Sequence, residues 1–278
     1  MTIETRAGST AATATKATPA LRLNGVSVRL GERLALSEID LEVAKGAFVG
    51  LIGPNGSGKS TLLRAILGVL PLEAGSIEVD GRPPAEARDL FAYLPQRRAQ
   101  NLDLPLRTRD IVMMGRMRHT GLLRPVRRDD REAVEQALAL VGLSDRRNSA
   151  IGEMSFGQQQ RVFFARALAQ EGSILLLDEP MNGVDPQTQE LFVELLSGFH
   201  AQGKTIVMAT HDLTQAAAMC DNLCVVNQRL IAYGSVEQVL TEDVLSEAYG
   251  VHLHFRPGEA APGHLIGDVH HHDDEAPG

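Results

Sequence analysis

The chain has 278 residues, of which 44% are hydrophobic and 22% charged, ordinary values for a globular protein with material for a sizeable core. Lys+Arg 27 against Asp+Glu 35 gives a net charge of -8, which argues against a dedicated nucleic-acid binder, whose phosphate contacts need a basic surface. No run approaches 18 consecutive apolar residues, so no membrane span is expected; Met1–Ala20 lacks the apolar core of a secretory signal, and two cysteines, Cys220 and Cys224, cannot build a disulfide framework.

Residues 1–20, rich in Thr, Ala and Ser, read as a disordered arm. Leu21–Arg29 and Leu36–Val43 alternate apolar and polar side chains, which predicts half-buried antiparallel strands. Phe48–Ile52 is a short buried strand that runs into a Gly-rich loop and then an apolar helix over Ser60–Val69. Ser76–Asp80 predicts another strand, closed by Gly81. Residues 97–131 carry ten arginines (97, 98, 107, 109, 116, 118, 124, 127, 128 and 131) and four acids. Helical spacing follows over Asp129–Val141 and Gly157–Gln170, so residues 97–170 or so read as a helical subdomain inserted into an α/β core. Ile174–Leu177 is continuously apolar, the mark of a central strand covered on both faces. Asp185-Pro186 opens a helix: Pro at the first position loses no needed hydrogen bond, and Asp can cap the free N–H groups. A buried strand over Thr205–Ala209, a helix near Leu213–Met219 and a short helix over Thr241–Tyr249 complete the 21–250 domain. Residues 251–278 are Gly, Pro, His and acid without core-forming pattern, a mostly disordered tail.

The strongest motif is Gly53-Pro54-Asn55-Gly56-Ser57-Gly58-Lys59-Ser60-Thr61, a match to G-x-x-x-x-G-K-[ST] between an apolar strand and an apolar helix. Its glycines let backbone N–H groups curl around nucleotide phosphates, and the helix N-terminus adds a favourable dipole. Lys59 supplies a point charge, and Ser60 offers a hydroxyl to Mg²⁺. The second motif is Ile174-Leu175-Leu176-Leu177-Asp178-Glu179. A carboxylate at the end of a buried strand is costly unless it serves a cation or hydrogen bonds. Asp178 is the candidate Mg²⁺ ligand, and Glu179 is placed to polarise an attacking water.

Three more segments follow in order: Gln96 after the strand Phe91–Leu94, Met154-Ser155-Phe156-Gly157-Gln158 about twenty residues before the Asp178 strand, and His211 ending Ile206-Val207-Met208-Ala209-Thr210. With these the chain resembles the ATP-binding subunit of an ABC transporter over roughly residues 21–245. The resemblance implies a P-loop NTPase core with an antiparallel β-subdomain and an inserted helical subdomain. It implies ATP and Mg²⁺ as cofactors, with Ser60, Gln96 and Asp178 around the metal, and Glu179, His211 and Lys59 as catalytic residues. It implies an ATP-dependent homodimer in which Ser155, Gly157 and Gln158 meet the partner's nucleotide and Asp185 makes a dimer contact. The segments Pro95-Gln96-Arg97-Arg98, Asp110–Arg116 and Asn182-Gly183-Val184-Asp185 look like those of bacterial manganese, zinc and iron importers. That likeness implies an integral membrane permease, an extracytoplasmic metal-binding protein, and a peripheral place on the cytoplasmic face of the membrane. A motor for iron chelate or cobalamin is the nearer alternative. A soluble ABC ATPase of DNA repair or translation is the more distant one, disfavoured by the single P-loop, the acidic total and the lack of heptads.

Two departures stand out. Phe156 replaces a glycine of the usual signature, and a bulky residue is strained there if its φ is positive. The first-strand turn reads Val28-Arg29-Leu30-Gly31, without the aromatic that stacks on adenine in many relatives; Arg29 is the candidate substitute. The arginine block beside Gln96 suits a membrane partner or a solvated basic face. His252 and His254 alternate along a possible strand, and His270, His271 and His272 lie among acids, a composition that fits either a weak zinc site or a polar tail that binds metal incidentally. Cys220 and Cys224 read as small apolar residues.

Overall fold

The computed structural model describes residues 18–96, 106–117 and 125–250. The five tail histidines and Arg97, Arg98, Arg118 and Arg124 lie outside these residues.

Two sheets organise the molecule. β1 (Leu21–Leu30) pairs antiparallel with β2 (Arg33–Val43) and β4 (Ala74–Val79) in the order β2-β1-β4. The alternation seen in the sequence is realised: Leu21, Leu23, Val26 and Val28 are buried, while Leu30 at the hairpin is exposed. The larger sheet has the order β5-β6-β7-β3-β8-β9, from β3 (Phe48–Ile52), β5 (Phe91–Leu94), β6 (Ile174–Asp178), β7 (Thr205–Ala209), β8 (Asn222–Asn227) and β9 (Arg229–Ser235). All its neighbours are parallel except β8 and β9.

Successive residues of a strand point to opposite faces, and the apolar runs use both. Phe48, Ile52, Leu175, Leu177, Ile206 and Met208 enter one core. Val49, Leu51, Ile174, Leu176, Val207 and Ala209 enter the other. The second core is closed by α1 (Lys59–Ile66) and the β2-β1-β4 sheet. The first is covered by helices that lie mostly between β5 and β6 in sequence: α2 (Thr108–Met113), α3 (Arg128–Leu140) and α4 (Phe156–Leu168). α5 (Pro186–Ala201) and α6 (Leu213–Met219) link successive strands, and α7 (Val236–Val239) and α8 (Glu242–Tyr249) end the described chain.

One expectation fails inside the helical segment. Arg116, counted with the arginines of a partner-facing or solvated surface, is 5% exposed. Its guanidinium reaches Asp130 at 3.3 Å, Glu171 at 2.5 Å and the Ala169 carbonyl at 2.8 Å. It ties the segment after α2 to the start of α3 and the end of α4. Arg107, Arg109, Arg127, Arg128 and Arg131 are exposed. Cys220 and Cys224 are buried thiols pushed up to about 12 by burial, as apolar packing residues would be.

Candidate functional site

The expected site residues converge on the C-terminal ends of four adjacent parallel strands. β3 leads into the Gly53–Thr61 loop, β6 ends at Asp178, and Gln96 and His211 follow β5 and β7. Open α/β sheets bind ligands at this edge, where strand ends and helix N-termini face outward.

The loop is built to approach a ligand closely. Gly53 has φ +148, and a side chain there would collide with the Val226 carbonyl. Gly58, with φ +106, is the N-cap of α1. Neighbours fix the loop from outside: the Gln228 N–H donates to the Ser57 carbonyl at 2.8 Å, and the Arg33 guanidinium to the Gly56 carbonyl at 3.2 Å. Lys59 is 7% exposed, and its Nζ donates to the carbonyls of Gly53 at 2.7 Å and Pro54 at 3.0 Å. Burial pushes this ammonium below its ordinary range, while Glu179 and Asp178 pull it back up.

Beside the loop, Ser60 Oγ donates to Asp178 Oδ1 at 2.9 Å. The second carboxylate oxygen, Oδ2, is buried and meets no donor at bonding geometry among the described residues. Burial raises the Asp178 pKa above the usual carboxylate range; the Ser60 hydroxyl and the nearby Gln96 backbone oppose the shift. A buried carboxylate with one unsatisfied oxygen next to a serine hydroxyl is an all-oxygen donor set, the kind that suits Mg²⁺.

Glu179 follows with φ +51, and its N–H is held by the Ala209 carbonyl at 3.0 Å. The left-handed turn is a local cost of the kind that collects at functional positions. Its Oε2 accepts from Gln96 Nε2 and from Asn182 Nδ2, both at 2.9 Å. His211 Nδ1 stands 3.9 Å from Oε1. Asn182, which the sequence offers only within the Asn182–Asp185 segment, stands three residues after Glu179, and that turn spacing is the signal for its contact. His211 is 56% exposed and does not cap the next helix: Asp212 does, accepting from the Gln215 N–H at 2.9 Å. A cleft of about 150 Å³ opens between Glu179, Asn182, His211 and Gln215.

The residues arranged so far are those of a nucleotide-hydrolysing P-loop protein, and the sequence matches the ABC transporter family over residues 36–182. The chain belongs to that family. It is an ATP-binding subunit with ATPase chemistry. It is 40% identical over 235 residues to a zinc transport system ATP-binding protein of Treponema pallidum, covering 83% of this chain and 87% of that protein. It is 39% identical over 245 residues to a manganese transport system ATP-binding protein of Bacillus subtilis, covering 88% and 98%. Among solved structures, the ADP conformation of an ATP-binding cassette of an ABC transporter is similar, with TM-score 0.70 and 26% identity, covering 83% of this chain and 98% of the other.

The residues expected to form the signature turn gather at the start of α4. Ser155 is the N-cap of α4: its hydroxyl accepts from the Gln158 N–H at 3.2 Å, and Gln158 Oε1 accepts from the Ser155 N–H at 3.1 Å. Phe156 is the first helical residue and is not among the positive-φ residues, so the feared strain does not arise. Gly157 faces Asp185, where a side chain would collide with the carboxylate. Asp185 caps α5, accepting from the Thr188 N–H and hydroxyl at 2.9 Å each. Arg29, the candidate for the adenine face, forms a fork with Glu73 at 2.8 and 2.9 Å.

Proposed function

We propose that this chain is the motor of a transition-metal importer, working as a homodimer that closes on two ATP molecules at the cytoplasmic face of the membrane. The observation that carries the reading is the joint at the strand crest: Lys59, Ser60, Asp178, Glu179, Gln96 and His211 come from four strand ends to one edge. The P-loop amides and the α1 N-terminus bind the phosphates, and Lys59 leaves its two carbonyls for the terminal phosphate. Glu179, gripped by Gln96 and Asn182, orients the attacking water and takes its proton at a carboxylate oxygen. His211 steadies charge on the γ-phosphate. Ser60, Asp178 and Gln96 would hold Mg²⁺, which when bound supplies positive charge to the phosphate oxygens.

Ser155, Gly157 and Gln158 lie at the N-terminus of α4. That placement supports a role for them on a partner's ATP, since a second positive helix end then faces the polyanion. Among the described residues no helix is long and apolar enough to cross a membrane, so the pathway is assigned to a separate permease. The named cargoes of the relatives, zinc and manganese, support a metal ion delivered by an extracytoplasmic binding protein. One relative, from Yersinia pestis, is named for chelated iron, which keeps that cargo as the second reading.

The test is total zinc, manganese and iron in metal-starved cells carrying the wild-type chain or Glu179→Gln. A selective fall in zinc or manganese supports the reading. A fall in iron alone reassigns the cargo, and no change in any metal overturns metal import.

A further inference from the structure

Phe156 is where this chain departs from its family's usual signature, and the ring is 40% exposed at the start of α4. Its edge lies over the backbone of Gly183, where a side chain would meet Cε1 at 3.7 Å. It does not act alone. Gly157 abuts the Asp185 carboxylate. Gln160, 2% exposed, donates from Nε2 to the Pro180 carbonyl at 3.1 Å. Arg161 Nε donates to Thr188 Oγ1 at 2.9 Å. Residues 156, 157, 160 and 161 share one helix face, so the first two turns of α4 are laid along the loop 180–188. That loop begins at Glu179 and is pinned to it by Asn182.

We propose that Phe156 is a positioning residue. Its ring clamps the signature turn to the loop that carries Glu179, so the two move as one body. This rests on the two-subunit reading above. There, each subunit hydrolyses one ATP with its own Glu179 and lends its signature turn to the other. A rigid link between them makes closure on one ATP set the geometry of the second site. A glycine at 156 would keep the Gln160 and Arg161 bonds but remove the ring from beside Gly183. The buried Gln160 and the Arg161–Thr188 bond would hold the helix in place, while its first turn gained freedom.

The experiment is hydrolysis rate against ATP concentration for the full chain, in wild type, Phe156→Gly and Phe156→Tyr. It is paired with sedimentation of Glu179→Gln and of Glu179→Gln/Phe156→Gly with Mg-ATP. The wild type should show a Hill coefficient near 2, the limit set by two sites. Phe156→Gly should fall to about 1, with ATP affinity of the isolated subunit unchanged, and Phe156→Tyr should keep the wild-type value. A loss of fold would lower affinity and rate together in both variants, so the split separates positioning from damage. A Phe156→Gly enzyme as cooperative as wild type overturns the proposal. So does a non-cooperative wild type whose Glu179→Gln form still dimerises with ATP; the two-subunit reading then stands without it. If Glu179→Gln stays monomeric with ATP, the two-subunit reading falls and the clamp with it.

Discussion

Replacing Arg116 by methionine tests the buried ion pair that the sequence did not reveal. The side chains of Arg116 and Asp130 are 6% and 2% exposed. Methionine has similar reach and no charge, so it fills the space but takes the guanidinium away from the buried Asp130 carboxylate, to which the Arg127 N–H still donates at 3.0 Å. Breaking one side of such a pair costs about 3–5 kcal/mol, because the surviving charge loses its counter-charge in a poorly solvated place. The Ala169 carbonyl also loses a donor. A folded body of this size gains roughly 0.45 kcal/mol per kelvin of unfolding entropy at its midpoint, so the melting temperature should fall by roughly 7–11 °C. The assay is thermal unfolding followed by circular dichroism, with ATP binding measured well below the transition. Binding should change little, since the phosphate loop is held by other contacts. Adding Asp130→Asn should recover half or more of the loss, because an amide still accepts from the Arg127 N–H without needing a counter-charge. A shift under about 1 °C, or no recovery in the double variant, would refute the reasoning.

Other outcomes follow from the site. Lys59→Ala should weaken equilibrium ATP binding by at least about a hundredfold, because a buried, pre-positioned charge is lost from the phosphate cradle; unchanged affinity would contradict the cradle. Asp178 has a raised pKa from burial, so the folded chain favours the protonated acid more than the unfolded chain does. Its ionisation therefore costs stability as pH rises through the ordinary carboxylate range. Asp178→Asn should raise the melting temperature of the ligand-free chain at neutral pH by a few degrees while abolishing Mg²⁺-dependent hydrolysis. A fall in melting temperature would reverse that sign. Mg²⁺ affinity of the wild type should weaken on acidification earlier than an unperturbed carboxylate would dictate, read by metal titration at stepped pH.

The buried strands were legible because their physics is local. Phe48–Ile52 and Thr205–Ala209 are short, almost wholly apolar runs, and the structure places both strands at those limits. A helix start was legible where a cap announced it, as at Asp185; the caps Asp212 and Thr241 emerge only in the folded chain. The β8–β9 hairpin went unread because its turn residue is Gln228 with φ +59, where glycine or asparagine would have signalled it. α2 has six residues, too few for a helical period to register against the surrounding arginines. Arg116 was misplaced for a related reason: a charge run looks solvated until the fold shows which member turns inward. The phosphate loop, Asp178 and Glu179 could be read because their chemistry demands fixed spacing. Asn182, Gln228 and Arg33 support them through contacts that only the folded chain brings together.

The central claim is a two-subunit ATP site fired by Glu179. Its most direct measurement is the mass of Glu179→Gln by light scattering, with and without Mg-ATP. The account predicts a monomer without nucleotide and a stable dimer with it, since slowing hydrolysis leaves the closed state in place. Wild-type hydrolysis should exceed that of the variant by about 10²–10⁴. A variant that hydrolyses ATP at the wild-type rate, or remains a monomer in saturating Mg-ATP, would contradict the account.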